Sequence, residues 1–391
     1  VTPEPVDLDD GDAVQRADTR GVLRSAASAG AQVRAVSSAV SDGVLGSLAG
    51  IRPRAVVLVT GRGSASRAAA ILVGALAGVV DVPVVRADRT PNWTGSLDLV
   101  VVAGDDAGDP VLAQSIADAV QRGAETVVTA PDEGPVGTAG AGYALRLPPR
   151  VSVLDANRMI HHLAAMLAVL AAVGSRGQVL GTQRELSQLA DVLDGEALRG
   201  GPGQAVFRNA AKTLAARVTT AHAAGIALAG DRPGTTALAE HAAAALLSAG
   251  GVCAAAVELI DVLAAPRQMG SVAAESIFYD PQFDGPATAP PLRVFVLSCA
   301  ADARETAVRV SALPDAELVL AGDEPAVGLD SGAPAPGPAM AAAELDDRPE
   351  IMQLVVLAVR WELAAAYVSL TAGSLAVGPS APLSDQADVE R

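Results

Sequence analysis

Two kinds of stretch alternate along this chain. Short unbroken apolar runs at residues 55–60, 97–103, 126–129, 225–229, 292–297 and 318–321 have the length and continuity of strands buried on both faces. Between them, alanine-rich stretches at 66–76, 110–122, 236–247 and 303–311 carry apolar residues at helical spacing. Further helices are expected at 18–39, 155–173, 184–197, 205–223 and 350–370, and shorter strands at 82–85 and 252–257. The alternation predicts an α/β fold in which mostly parallel sheets are flanked by helices in three layers.

The order of these elements occurs twice. In the first half the run AVVLVT breaks into Gly61-Arg62-Gly63-Ser64-Ala65-Ser66 and enters a helix. In the second, GIALA breaks into Gly230-Asp231-Arg232-Pro233-Gly234-Thr235-Thr236 and enters another. Two related halves are therefore expected, 1–198 and 199–375, joined at Gly200-Gly201-Pro202-Gly203 and followed by a frayed tail at 376–391. The interval from the turn to the later strand, 230 to 292 against 61 to 97, is longer in the second half, and its excess falls in a Pro-, Asp- and Gly-containing stretch at 263–291 that reads as an inserted loop that could lie over the site. Residues 331–339 read as a second loop, flexible by composition.

Composition narrows the class. With 391 residues the chain exceeds the usual size of one core, which favours two domains. Half of it is hydrophobic but only 2% aromatic, so the core must be built from Ala, Val and Leu. A formal net charge of −16 argues against a nucleic-acid partner, which needs a basic face. The apolar stretches 159–173 and 354–373 are respectively too short to span a bilayer and interrupted by Arg360 and Glu362, so no membrane association is expected. The start of the chain is acidic and unlike a signal peptide, giving a cytoplasmic expectation. Cys253 and Cys299 are isolated and read as small buried core residues.

The chemistry centres on the two turns. A strand, a Gly- and hydroxyl-rich turn and a helix together aim backbone N–H groups and a helix dipole at an anion. Gly61, Gly63, Ser64 and Ser66, with Arg62 close by, suit a phosphate monoester, and Thr235 and Thr236 offer the same in the second half. The alternative is an ordinary βα turn with serine N-caps. Gly61-x-Gly63-x-x-Ser66 also forms an incomplete dinucleotide fingerprint, with Asp81 or Asp88 as ribose partners, which leaves a nicotinamide-dependent oxidoreductase as a weaker reading. Asp105, Asp106 and Asp109 follow the strand at 97–103 and could hold a metal or sugar hydroxyls, would repel a phosphate, and read most simply as a solvated acidic turn. Glu240 and His241 are the nearest approach to an acid/base couple but read as surface residues. His161 and His162 diverge on their helix and do not form a metal pair, and His222 reads as a helix C-terminal cation.

Taken in order, Leu8-Asp9-Asp10 with Arg20-Gly21-Val22-Leu23, the turn from Gly61 to Ser66, Asn209-Ala210-Ala211-Lys212 and the helix at 354–373 resemble the sugar isomerase (SIS) family, in particular the bifunctional phosphoglucose/phosphomannose isomerases and their actinobacterial relatives. The resemblance implies two SIS subdomains, a homodimer, a sugar phosphate bound between subdomains, and aldose–ketose isomerisation without cofactor or metal. That chemistry needs a carboxylate to shuttle a proton and an acid, often His, to open the ring. The family's glutamate late in the helix after the second turn falls on Leu246 and Leu247, and its Asn-His-Asn-Glu segment on Ala264-Ala265-Pro266-Arg267-Gln268. Its Ser/Thr-rich loop is replaced by Asp105, Asp106 and Asp109. A leucine cannot move a proton, so the resemblance transfers no catalytic residue and implies a hexose-phosphate-binding protein that is either a divergent isomerase or an inactive relative, the alternative being a non-catalytic, sugar-phosphate-responsive regulator or scaffold.

Overall fold

A computed structural model of the chain describes residues 6–76, 78–174, 181–221, 225–265, 292–311, 313, 316–322 and 348–371. The expectations for His222, for 266–291 of the inserted stretch, for 331–339 and for the tail lie outside the described residues.

Two parallel sheets form, one in each half. In the first, β1 (Val56–Thr60), β2 (Val84–Ala87), β3 (Leu99–Ala103), β4 (Glu125–Val128) and β5 (Leu145–Arg146) lie in the order β2-β1-β3-β4-β5. In the second, β6 (Ile226–Gly230), β7 (Ala255–Glu258), β8 (Arg293–Leu297) and β9 (Ala316–Val319) lie in the order β7-β6-β8-β9. All residues of β1, β3 and β6 are buried, as runs without polar alternation require. In each sheet the chain leaves the first strand toward one neighbour and later crosses to the other side. A crevice therefore opens at the carboxyl ends of β1 and β3, and another at those of β6 and β8.

Alternating strand residues feed different layers. Val56, Leu58, Leu228 and Phe295 point into one core that the halves share with α4 (Ser64–Leu76), α7 (Met159–Ala172), α10 (Pro233–Ser248) and α13 (Glu350–Thr371). Val57, Val59 and Val102 point outward onto Leu112 and Ile116 of α5 (Pro110–Gln121). Ala227, Val294 and Val296 point onto Leu259 of α11 (Leu259–Ala264) and Val310 of α12 (Ala303–Val310). The halves meet most tightly where α4 crosses α10: a Cβ at Gly74 would lie 2.6 Å from the Gly234 nitrogen, so the two backbones touch without intervening side chains. The helix α13 is long and apolar enough to cross a membrane, and here it is buried within the chain. Its Trp361 meets Phe295 edge-on at 5.5 Å.

Buried ion pairs tie the last helix to the rest. Arg360 donates to Glu196 of α8 (Gln183–Arg199) at 2.7 Å and to the carbonyls of Leu320 and Ala321. Burial pushes the Glu196 carboxyl up, but the Arg360 and Arg199 guanidiniums hold it below its ordinary value. Lys212, the only lysine, is buried in α9 (Ala210–Ala221) and donates to the carbonyls of Leu8, Pro202 and Gln204 at 2.6–2.7 Å. It thereby fastens the start of the chain to the junction between halves.

Several boundaries differ from expectation for local reasons. The helix expected at 18–39 is divided into α1 (Gly11–Ala17), α2 (Val22–Ala26) and α3 (Ala29–Ser41). Asp18 accepts from the Val22 and Leu23 nitrogens, and Gly21 is left-handed at φ 68°, which ends one helix and starts the next. The helix expected from 205 begins at Ala210 because the Asn209 side chain caps the Lys212 nitrogen. The two-residue β5 and the short α6 (Gly134–Thr138) and α11 carried too few residues to show a period. Cys253 is exposed, against expectation, while Cys299 is buried and its thiol is pushed up by that burial.

Candidate functional site

Three features lie at the carboxyl ends of the strands: the two crevices and a cleft between the halves. At the first turn, Gly63 is left-handed at φ 85°, which lets the chain fold sharply from β1 into α4. The Gly61 nitrogen donates to the Ala103 carbonyl at 2.8 Å, bringing the turn against the end of β3. Ser64, expected to face a ligand, is 1% exposed, and its hydroxyl donates to Asp105 Oδ2. Asp105 Oδ1 in turn lies 3.0 Å from His162 Nε2. A carboxylate only accepts, so Nε2 carries the proton; in the neutral ring Nδ1 then accepts from the Thr129 hydroxyl at 3.0 Å.

The result is a chain of contacts, Ser64–Asp105–His162–Thr129, drawn from α4, the β3 loop, α7 and the end of β4. Burial pushes the Asp105 carboxyl up, and His162, Ser64 and Arg158 more than offset it, leaving it below the usual carboxylate value. Asp105 is thus an ionised internal acceptor and not part of a solvated turn. Its neighbours fit the simpler reading, since Asp106 accepts from the Gly108 nitrogen and Asp109 caps α5 at the nitrogens of Val111 and Leu112. His161 faces away, donating to the Leu147 carbonyl at 3.1 Å, and burial lowers its pKa to about 3.

The second crevice reaches the same arrangement from the opposite side. Here the carboxylate belongs to the turn after the first strand: Asp231 accepts from Thr235 Oγ1 at 2.8 Å, from Ser298 Oγ at 2.6 Å and from Thr306 Oγ1. All three hydroxyl residues are at most 2% exposed. Thr235 was anticipated from the sequence, whereas Ser298 and Thr306 were not, although a hydroxyl at the carboxyl end of the strand at 292–297 was a readable signal.

Between the halves lies a cleft of about 420 Å³. One wall is Ala70, Val73 and Gly74 of α4 with Arg86 of β2. The other is formed by the turn from Gly230 to Pro233, Thr236 and Glu240 of α10, Glu258 at the end of β7, and Arg309 of α12. Ser66 is one helical turn before Ala70 on the same face of α4, and its hydroxyl accepts from Arg86 Nη2 at 3.3 Å. Arg232 is bridged to Asp302 at 2.6 Å. The first-turn residues are thereby separated: Ser64 is turned inward, while Ser66 contacts Arg86, which lines the cleft together with Thr236.

Glu240 is exposed in this cleft, but His241, expected at the surface, is buried. Its Nε2 is 3.0 Å from Glu362 Oε1 of α13, without the alignment of a hydrogen bond. Glu362 Oε2 accepts from Asn157, which accepts from Ser25, so this cluster links the halves beneath the cleft. Arg67 on α4 is in the field of Asp105, Glu362 and Glu240, and burial lowers its pKa. Among the described residues no group of three or more His, Cys, Asp or Glu is placed to hold a metal ion.

No family profile and no curated protein matches the sequence. Solved structures do match. The tagatose-6-phosphate ketose/aldose isomerase of Escherichia coli aligns at 12% identity over 90% of this chain and 92% of its own, with a TM-score of 0.58. The C-terminal domain of glucosamine-fructose-6-phosphate aminotransferase from Francisella tularensis aligns at 11% identity over 91% and 96%, with a TM-score of 0.53. At such identities the likeness is one of fold: the chain has the doubled three-layer α/β architecture of phosphosugar isomerase structures.

Proposed function

We propose that this protein binds a phosphorylated sugar or related carbohydrate derivative in the cleft between its halves. The observation that carries the reading is the pairing across that cleft: Arg86 with Ser66 from the first half faces Thr236 and the start of α10 from the second. A guanidinium and two hydroxyls suit a phosphate monoester. Glu240 and Glu258 offer acceptors for sugar hydroxyls, and the volume suits a small ligand. The chemistry named for the two similar structures, both acting on hexose 6-phosphates, supports the same ligand class.

We further propose that binding, not isomerisation, is the main activity. The carboxylates of both crevices are held by hydroxyls, and the buried His241 does not line the cleft. A second reading, isomerisation of the phosphoglucose/phosphomannose type, is favoured by the exposed carboxylate of Glu240, the one cleft-wall group placed as a proton carrier on α10. Calorimetry with hexose 6-phosphates and the matching free sugars tests the binding. Arg86→Ala and Ser66→Ala are each expected to weaken it by about 1–3 kcal/mol, whereas Ser64→Ala alters stability more than affinity. Equal affinity for sugars with and without phosphate removes the reading. Turnover of glucose 6-phosphate or mannose 6-phosphate that is lost in Glu240→Gln selects the isomerase instead.

A further inference from the structure

We infer that Asp105 and Asp231 are built-in anions: each occupies the crevice in which its half would otherwise hold a phosphate-sized ion, so that the native protein takes no phosphate at Ser64 or at Thr235.

The two arrangements are independent constructions of one result. In the first half the carboxylate comes from the loop after β3 and reaches the hydroxyl of the β1 turn. In the second it comes from the β6 turn itself and reaches hydroxyls after β8 and on α12. The carboxylate comes from opposite sides of the crevice in the two cases, yet fills both. Each sits at the start of a long helix, α4 or α10, where the peptide dipoles favour negative charge. Each is also enclosed by buried donors: Ser64 and His162 for Asp105, and Thr235, Ser298 and Thr306 for Asp231.

Such donors would carry a desolvation penalty if left without an acceptor. An aspartate supplies that acceptor permanently, without the entropy loss of capturing a free ion. A diffusing phosphate would have to displace a covalently tethered carboxylate and meet like charge at contact distance. The charge that suits these crevices is therefore part of the chain, and in the adjoining cleft, whose wall includes Asp231, anion contacts are left to the side away from that carboxylate, at Arg86. This inference does not depend on what the cleft binds.

The experiment removes the carboxylate. Asp105→Ala and Asp231→Ala vacate the crevices, while Asp105→Asn and Asp231→Asn keep them filled but neutral. Each variant is made in an Arg86→Ala background to suppress binding in the cleft, and inorganic phosphate is the probe. Crystals soaked in phosphate are expected to show an ion on Ser64 in the first Ala variant, and one on Thr235, Ser298 and Thr306 in the second. Phosphate affinity from thermal shift should rise at least tenfold, roughly the minimum for exchanging a repelling charge for open donors. The Asn variants and the Arg86→Ala parent should show neither effect. Phosphate bound at Ser64 or Thr235 with its aspartate in place overturns the inference. So does an Ala variant that folds, by circular dichroism, and leaves its crevice to water. If Asp231→Ala fails to fold, Asp231→Ser, which returns a hydroxyl to the cradle, carries the second arm, and the Asp105 arm decides the first crevice alone.

Discussion

The contact between α4 and α10 gives a stability prediction that opposes two effects of known size. Gly74 is inside α4, where replacing glycine by alanine ordinarily gains about 0.8–1.0 kcal/mol of helix propensity. At this position the new methyl would be 2.6 Å from the Gly234 nitrogen, 2.7 Å from its Cα and 2.8 Å from the Pro233 carbonyl carbon. Favourable carbon contacts begin near 3.5 Å. All three obstructing atoms are backbone, so no side chain can rotate away and the helices must separate by the better part of an ångström. Overpacking costs about 1–3 kcal/mol, and three backbone contacts this close place it in the upper part of that range, about 2–3 kcal/mol, so after the propensity gain is subtracted Gly74→Ala is expected to destabilise by roughly 1–2 kcal/mol. Gly195 in α8 is the internal control, because a Cβ there meets only the mobile end of Arg199 at 3.4 Å. Gly195→Ala should therefore stabilise by about 0.5–1 kcal/mol. Urea denaturation at unchanged m-value measures both. A Gly74→Ala protein as stable as the native one, or a Gly195→Ala protein equally destabilised, refutes the claim that backbone contact sets the spacing of the halves.

Other expectations concern buried charge. Glu196→Gln leaves the Arg360 guanidinium buried without its carboxylate and should cost about 3–5 kcal/mol in equilibrium unfolding. Because the folded pKa of Glu196 is depressed, its contribution is present above the unfolded value and lost as pH falls through the folded one, so the variant should show a flatter acid limb. His161 has a folded pKa of about 3 against 6.5 unfolded, so the unfolded chain binds the extra proton between these values and stability falls as pH drops through that window. The slope is about 1.4 kcal/mol per pH unit for this one group, and in His161→Gln that component should disappear from the pH dependence of unfolding. Lys212→Met strips the donor from three carbonyls and should destabilise by roughly 1–3 kcal/mol or more, with protease sensitivity appearing first near the start of the chain.

Much of the fold was legible because burial on both faces leaves a mark in sequence. The strand at 55–60 has no polar position to alternate with, and in the structure β1 is buried throughout. The duplication was legible for the same reason, since both turns interrupt such runs with glycine. The break at Asp18 and Gly21 was written in residues that cap and reverse a chain, yet a helical period running across them concealed it. The burial of His241 had no local signal. Its neighbour Glu240 is exposed, and what covers His241 is α13, a helix more than a hundred residues later that also supplies Glu362.

The candidate site shows where reading by donor groups stops. A turn rich in hydroxyls and N–H groups declares an appetite for negative charge, and the sequence supplied that much at Gly61–Ser66 and at Thr235. It does not say whether the anion diffuses in or is attached to the chain. Asp105 is far from Ser64 in sequence and becomes its partner only because β3 pairs beside β1 in register, Thr60 against Ala103. Asp231 lay within the second turn from the start, but its meaning depended on Ser298 and Thr306, which β8 brings alongside β6. The acidic run after the strand at 97–103 reads in sequence as a group that would repel a phosphate, and in the structure Asp105 takes the Ser64 hydroxyl as its own donor. The step that required the structure was that the carboxylate meets the Ser64 hydroxyl inside the crevice, which leaves Ser66, Arg86 and Thr236 as the hydroxyls and guanidinium on which the proposed binding of a phosphorylated ligand rests.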